Sequence, residues 1–575
     1  MIRDRAGRIA ATTVAALLPL GVLAVFFALP VSGMLVRGLA PDGILDLTGF
    51  AEVLGRARTH RIIGFTVAMS AAATVLSVLI GMPVAHALYR LGVPGRRVLR
   101  AIIAMPFVLP TVVVGVMFRS LLADGGPLGW LGLDGHWAGI LAAFVFFNLA
   151  VVVRTVGAAW EGLDRRPEEA AAALGASPVV VFRTVTLPAL APSVVSAASV
   201  VFLFCATAFG VVLTMGGLQY GTVETEIYLL TTALLDLRGA AVLSVVQLAA
   251  VALLLLLADR ARSHEPVTRR GAAATLPPTR VTAYGMGSVL VTMAAVAFVA
   301  TPVIALIVRS LRREGGWTLE SYWALGRVGG VGGVGGGGGV GGVGGGSGGA
   351  GGDGRNALPV TVWEALGTSW RIAVDATLLA VALGLLVAWL VSRPTRSPAA
   401  ARWRRVLDGV VMVPLGVSAV TVGFGFLVTL DRPPLDLRTS PVLIPIAQAL
   451  VALPLVVRTL VPVLRGIDDR QRQAAATLGA RPWQVLLSVD LPVVWRPFLA
   501  AVGLAMAVSL GEFGATSFLA RPDRPTLPVL IYHLIGRPGA DNLGMALAAS
   551  VVLAVVTVTV MGVVERLRVS SVGAF

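Results

Sequence analysis

Lysine is absent from all 575 residues, so every basic side chain is an arginine. A Walker A phosphate loop needs a lysine after its glycines, which excludes a P-loop ATPase within this chain. Charge as a whole is scarce. Charged residues make up 13% of the chain, where a soluble protein carries about a quarter. The single cysteine, Cys205, can form no intrachain disulfide, and Cys/His ligand clusters are missing. Cys205 sits in an apolar run and reads as a small packed hydrophobe. The five histidines are scattered, and no H-E-x-x-H, G-x-S-x-G or paired-carboxylate pattern occurs. Chemistry on a substrate is therefore not expected, and neither is a cofactor bound by this chain.

What the sequence has instead is apolar length. Hydrophobic residues reach 56% and mean hydropathy is +0.86. Runs of roughly twenty apolar residues recur, the length that crosses a bilayer as a helix. Twelve spans are expected, at 10–37, 62–89, 99–121, 137–160, 189–215, 238–258, 283–309, 368–391, 405–430, 441–464, 496–520 and 543–564. The fold class is an all-α polytopic membrane protein. Net charge is +16, which in a soluble chain would point to nucleic acid. Here the arginines cluster in short loops at 96–100, 165–166, 260–270, 393–405, 465–481 and 566–568, as the positive-inside rule requires. An even number of spans puts both termini on that cytoplasmic side. Arg3, Arg5 and Arg8 precede an apolar stretch too long for a signal-peptide core, so an uncleaved first span is expected.

The chain repeats itself. Glu169-Ala170-Ala171, Gly175 and Val185-Thr186-Leu187-Pro188 recur 304 positions later as Gln473-Ala474-Ala475, Gly479 and Val489-Asp490-Leu491-Pro492. Arg154-Thr155 recurs as Arg458-Thr459, Gly162-Leu163-Asp164 as Gly466-Ile467-Asp468, and Phe209-Gly210 as Phe513-Gly514. Thr74 and Gly81 recur as Thr377 and Gly384, one position off that spacing. The halves therefore form two parallel six-helix repeats related by an axis along the membrane normal, an arrangement that places a pathway between them. A tract at 328–354, almost all glycine with scattered valine, is expected to be a disordered external linker.

Each duplicated loop reads as a helix, a turn and a second helix. Pro167 suits a first helical turn, and Glu168 and Glu169 favour its positive end. Gly175 ends that helix. Ser177-Pro178 begins another, and Leu187-Pro188 restarts the chain into the next span. Val179, Val180, Val181 and Phe182 are too apolar for a free polar loop, as are Trp483, Val485, Leu486 and Leu487 in the second copy. An interfacial helix lying on lipid headgroups would explain one such loop. Two copies with the spacing held point to a docking surface.

These segments resemble the EAA loop of permease subunits of binding-protein-dependent ABC importers: Glu-Ala-Ala, three residues, Gly, nine residues, then an aliphatic residue, any residue, Leu and Pro. The first copy fits throughout, and the second has Gln473 in place of the glutamate. The resemblance implies the type I importer permease fold. It covers two fused permease domains at 60–258 and 365–564. Flanking them are a first helix and external loop (1–59), a linker with the seventh span and the Gly-rich loop (259–364), and a tail (565–575). It implies that Glu169, Ala170, Ala171, Gly175, Leu187, Pro188, Gln473, Ala474, Ala475, Gly479, Leu491 and Pro492 form coupling loops. Their partner would be a homodimer of separate cytoplasmic ATPase subunits, which carry the ATP and magnesium. An external substrate-binding protein, a bacterial plasma-membrane setting and a small-molecule or ion substrate follow from the same likeness. Fused double permeases are typical of thiamine and ferric-iron importers. Val145-Phe146-Phe147-Asn148-Leu149, Thr222-Val223-Glu224 with Glu226-Ile227-Tyr228, and Ser509-Leu510-Gly511-Glu512-Phe513-Gly514 resemble the thiamine group more.

Ionisable residues within spans are costly and often functional. Glu512, Asp375 and Asn148 are the candidate pathway residues. His86 reads as interfacial, and Gln247 and Gln448 as bridges between helices. Glu224 and Glu226 are expected on the external side, facing a binding protein or water. A major-facilitator transporter is the competing reading. Its loop between spans 2 and 3 ends in Asp-Arg-x-Gly-Arg-Arg. The corresponding stretch here, Tyr89-Arg90-Leu91-Gly92-Val93-Pro94-Gly95-Arg96-Arg97, lacks the aspartate, and that family leaves the duplicated loops unexplained.

Overall fold

The computed structural model describes residues 15–569 except 41–42, 45, 47, 217–218, 263–282, 314–315, 328–359, 393–396, 431–435 and 438–439. Several expectations lie outside the described residues: the N-terminal arginines, most of the 260–270 cluster, the Gly-rich tract and the last residues of the tail. Among the described residues, ten helices are long and apolar enough to cross a membrane. They fall into two matching sets of five. The first is Ala15–Leu39, Ala57–Tyr89, Trp137–Glu161, Pro178–Ala206 and Leu237–Leu257. The second is Gly285–Ser310, Val362–Ser392, Leu443–Gly466, Trp483–Gly511 and Ala540–Val564. Apart from a two-residue ladder at 312–313 and 316–317 and an isolated bridge between Arg521 and Arg524, the described residues are helices and their connections.

The third span of each half departs from the continuous helices expected at 99–121 and 405–430. In the first half Arg96–Val108 meets Thr111–Leu122 at a bend of 105°. The cause is proline. Pro106 tightens the chain into a 3-10 turn at Met105–Val108, and Leu109 and Pro110 then run extended with ψ of 138° and 137°. A residue before proline is pushed out of the helical region in this way. The second half repeats the break with Pro414: helix Pro398–Met412, 3-10 turn Val413–Gly416, extended Val417 and Ser418, then helix Ala419–Thr429. The fifth spans break too, at 207–209 and 512–515, and continue as Gly210–Met215 and Thr516–Leu519.

The repeat is visible in packing. A Cβ on Gly81 would lie 2.6 Å from Val152, and one on Gly384 would lie 2.5 Å from Val456. The second and fourth spans of each half therefore touch at a point that only glycine fits. The outermost helices are exchanged between halves. Ala16, Leu23 and Phe27 of the first span join the core formed by the second half. Ala295, Val299, Ala305 and Leu306 of the span at 283–310 join the core of the first. Each half thus holds on to the other by its first helix.

Candidate functional site: duplicated elbows and the seam between halves

The loop after the fourth span begins with helix Arg166–Ala173, Pro167 in its first turn and Glu168 and Glu169 at its positive end. Gly175 then adopts φ +86°. Its N–H donates to Ala172 O, and the Ala176 N–H donates to Ala171 O. That pair of bonds is a Schellman motif, which satisfies carbonyls the helix end leaves over. The second copy is the same in detail. Gly479 has φ +84°, its N–H donates to Ala476 O, and Ala480 donates to Ala475 O. Only glycine takes this conformation without strain.

After the turn, the expected restart at Leu187-Pro188 does not occur. One helix runs through Pro178–Ala206, widening into a π segment at Phe182–Thr186. Pro188 follows two residues later, and Pro492 likewise follows the π segment Leu486–Asp490. A proline lacks one N–H and crowds the preceding turn; a π bulge lets the helix pass it unbroken. The short second helix of each elbow is therefore a rigid extension of the fifth span. Ser177 stands at the N-cap position, but its side chain makes no capping bond.

The tips are apolar and bare. Leu174 and Leu478, equivalent in the repeat and missed by sequence reasoning, are each 89% exposed. Val179, Val180, Trp483, Leu486, Leu487 and Leu491 are also exposed, whereas Val181 is buried and Phe182 stacks on Trp160. Glu169 and Gln473 both face solvent, as do Ala170, Ala474, Pro188 and Pro492; Ala171, Ala475 and Leu187 are half-buried.

Polar clamps fasten each elbow to its span, by different chemistry. In the first half Glu168 pairs with Arg90 and accepts from Thr186 Oγ1 at 2.8 Å. In the second, Arg472 stands where Glu168 does and Asp490 where Thr186 does, and their ion pair is 2.8 Å. The clamp is kept while its charges are exchanged. A comparison of the halves at the 304-residue offset carries this signal, but only contact in space gives it meaning.

The seam between halves is aromatic. Phe209 and Phe513, repeat equivalents, stack on each other with centroids 5.3 Å apart and planes 20° from parallel. The repeat axis therefore passes between them. Tyr228 meets Phe209 edge-on, and its equivalent Tyr532 meets Phe513. Gly511 approaches Pro110 of the other half, where a Cβ would lie 3.3 Å from its backbone.

The candidate pathway residues scatter. Glu512 borders the stack, but its carboxylate accepts from the N–H groups of Ala515 (2.7 Å) and Thr516 (3.1 Å) and from the Thr516 hydroxyl. It holds the break in the fifth span together. Asn148 donates to Phe144 O and to Cys205 Sγ at 3.3 Å, tying two helices. Asp375 lies on an exposed helix face that also carries Leu378. Glu224 and Glu226, expected outside, are both buried. Glu226 is neutralised by a bidentate Arg58 at 2.7 and 2.8 Å. Glu224 reaches into the seam, where Ser418 of the second half donates to it at 2.8 Å and Gln247 donates to its other oxygen. The burial comes from chain 194 residues away, which no local pattern encodes.

Comparison with known proteins agrees with the repeat. The family described as "Binding-protein-dependent transport system inner membrane component" matches twice, at residues 73–264 and 378–568. The thiamine transport system permease protein of Brucella abortus (strain 2308) is 28% identical over 534 residues, covering 90% of this chain and 89% of that protein. The thiamine transport system permease protein of Escherichia coli (strain K12) is 29% identical over 476 residues, 80% and 81% of the two chains. Among solved structures, a chain of a bacterial ABC transporter involved in alginate import aligns with TM-score 0.41 at 15% identity, over 46% of this chain and 99% of that one.

Proposed function

The chain belongs to the family of binding-protein-dependent transport system inner membrane components, and from that membership we propose that it carries thiamine inward and is driven by separate ATPases seated on its two elbows. As a fused double permease it is a multi-pass transport subunit and not an enzyme. Nothing favours the major-facilitator alternative.

The thiamine reading rests on the curated permeases that align with nearly the whole chain. The elbow reading rests on one observation: two equivalent leucines, each 89% exposed, on tips held rigid by glycine turns of matched geometry. An ATPase homodimer offers two identical clefts, and this permease offers two elbows of the same shape. The permease itself then needs no bound cofactor, since ATP and magnesium belong to the ATPase. ATP-driven closure of the pair would favour the arrangement of the halves that fits it best, a population shift set by differential binding. The loops rich in arginine, elbows included, would lie in the cytoplasm with both termini. An external binding protein would deliver substrate at the opposite face.

The test is uptake. A thiamine-requiring bacterium without its own permease receives this chain with the neighbouring ATPase and binding-protein genes. ATP-dependent accumulation of radiolabelled thiamine is expected. Accumulation of ferric ion and not thiamine would overturn the substrate reading. Uptake that persists without any ATPase subunit would overturn the coupling.

A further inference from the structure

We propose that Glu224 is the counter-charge for a cationic substrate, placed where the two halves part to open the pathway. The inference deepens the importer reading and takes from it only that the solute is a cation.

Glu224 is fully buried, at 0% exposure. Its hydrogen-bond partners are neutral: the Ser418 hydroxyl and the Gln247 amide. Two residues along the same helix, Glu226 is buried with a bidentate arginine. A buried carboxylate ordinarily has such a partner, because an uncompensated charge away from water is costly. Glu224 alone of the two lacks one. The repeat does not demand the carboxylate either. Its equivalent in the second half is Pro528, and the helix there, Leu527–Ile535, forms without it.

The position fits a pathway wall. Gln247 lies ten residues into its span from Leu237, about 15 Å along a helix axis, so the carboxylate it holds sits inside the membrane. Gln247, Ser418 and Thr421 line one crevice between the halves, which in this closed arrangement is too narrow to admit water. Gln247 is itself buried, and its Oε1 has no hydrogen-bond partner. The open Gln247 Oε1 and the Glu224 carboxylate are oxygens of two neighbouring buried side chains, the kind of donor a cation takes. One turn further on, Tyr228 presents its ring to the Phe209–Phe513 stack on the repeat axis. The Ser418 bond crosses between halves, so their separation would remove a neutral donor from Glu224 and open that oxygen to the solute. An aromatic cluster one helical turn from a carboxylate favours an organic cation.

The assembled transporter tests this with radiolabelled thiamine. Glu224→Gln keeps the size and removes the charge, and turns one acceptor into a donor that the Ser418 hydroxyl or a flipped Gln247 amide can accept from. It should cut uptake at least tenfold while complex assembly and ATP hydrolysis stimulated by the binding protein persist. Glu224→Asp should retain most uptake. Ser418→Ala removes the cross-half bond but leaves the charge, and should lose less uptake than Glu224→Gln. Unchanged uptake in E224Q overturns the proposal. So does a loss in S418A equal to that in E224Q, which would make Glu224 a latch. If the unaltered transporter carries no thiamine, the substrate reading fails separately. The same variants are then compared with radioactive ferric ion, and equal uptake by E224Q overturns the role of Glu224.

Discussion

Leu174 and Leu478 offer the sharpest test of the elbows, because they do nothing for the isolated chain. Each is 89% exposed, so replacing it with alanine removes almost no internal contact. Stability should move by less than about 0.5 kcal/mol, the range for surface substitutions. Leucine and alanine also have similar helix propensities. If the tips sit in apolar clefts of an ATPase, each truncation loses the burial of three carbons. At about 0.8 kcal/mol per buried CH₂ that is about 2 kcal/mol per elbow. A tenfold change in affinity corresponds to about 1.4 kcal/mol, so each single variant should bind an ATPase about 30-fold more weakly. The sites are far apart in sequence and lie on different halves. Their effects should add to about 4 kcal/mol in the double variant, unless the two ATPases bind cooperatively. Purified permease immobilised in detergent or nanodiscs and titrated with ATPase gives the affinity; thermal unfolding of the permease alone gives the control. Wild-type affinity in L174A/L478A, with unfolding unchanged, would refute the docking argument. Weakened affinity with a lowered unfolding temperature would refute the premise that the tips are idle.

Gly175→Val and Gly479→Val force a β-branched residue into the left-handed region, at about 1–2 kcal/mol each, with open space around the new Cβ. Basal ATPase activity should survive, while uptake per ATP hydrolysed falls about tenfold in the double variant. Arg472→Ala removes the ion pair it makes with the buried Asp490 and should cost about 3–5 kcal/mol, read as protease cleavage within 469–490. Adding Asp490→Thr, the residue of the first half, should restore most of the resistance. Gly81→Ala and Gly384→Ala place a methyl against Val152 and Val456. Each should lower the unfolding temperature by an overpacking cost of about 1–3 kcal/mol.

What could be read from the chain and what could not divide along one line, the distance over which the cause acts. The elbows were legible because their causes are local. A glycine at C′, a proline in a first turn and acidic residues at a helix start act within five residues, and the structure returns them as φ +86° and +84° turns. Apolar run length also located the long spans, since twenty apolar residues need no partner to specify a crossing. The third spans were misread because hydropathy is blind to backbone: Pro106, Pro110 and Pro414 break the helix without lowering its apolarity. The restart assigned to Leu187-Pro188 failed for the converse reason. A π turn absorbs the proline, so a local breaker does not break. Glu224 is the extreme case. Its sequence puts it on the external side, facing a binding protein or water. Ser418, 194 residues away, puts it in the seam. Function in a two-half transporter resides in that seam, which is where information from one half alone runs out. The same reasoning explains why Phe209-Gly210 and Phe513-Gly514 looked like mere markers of the repeat. Only their meeting face to face shows that the residues repeated at that position are the ones through which the axis passes.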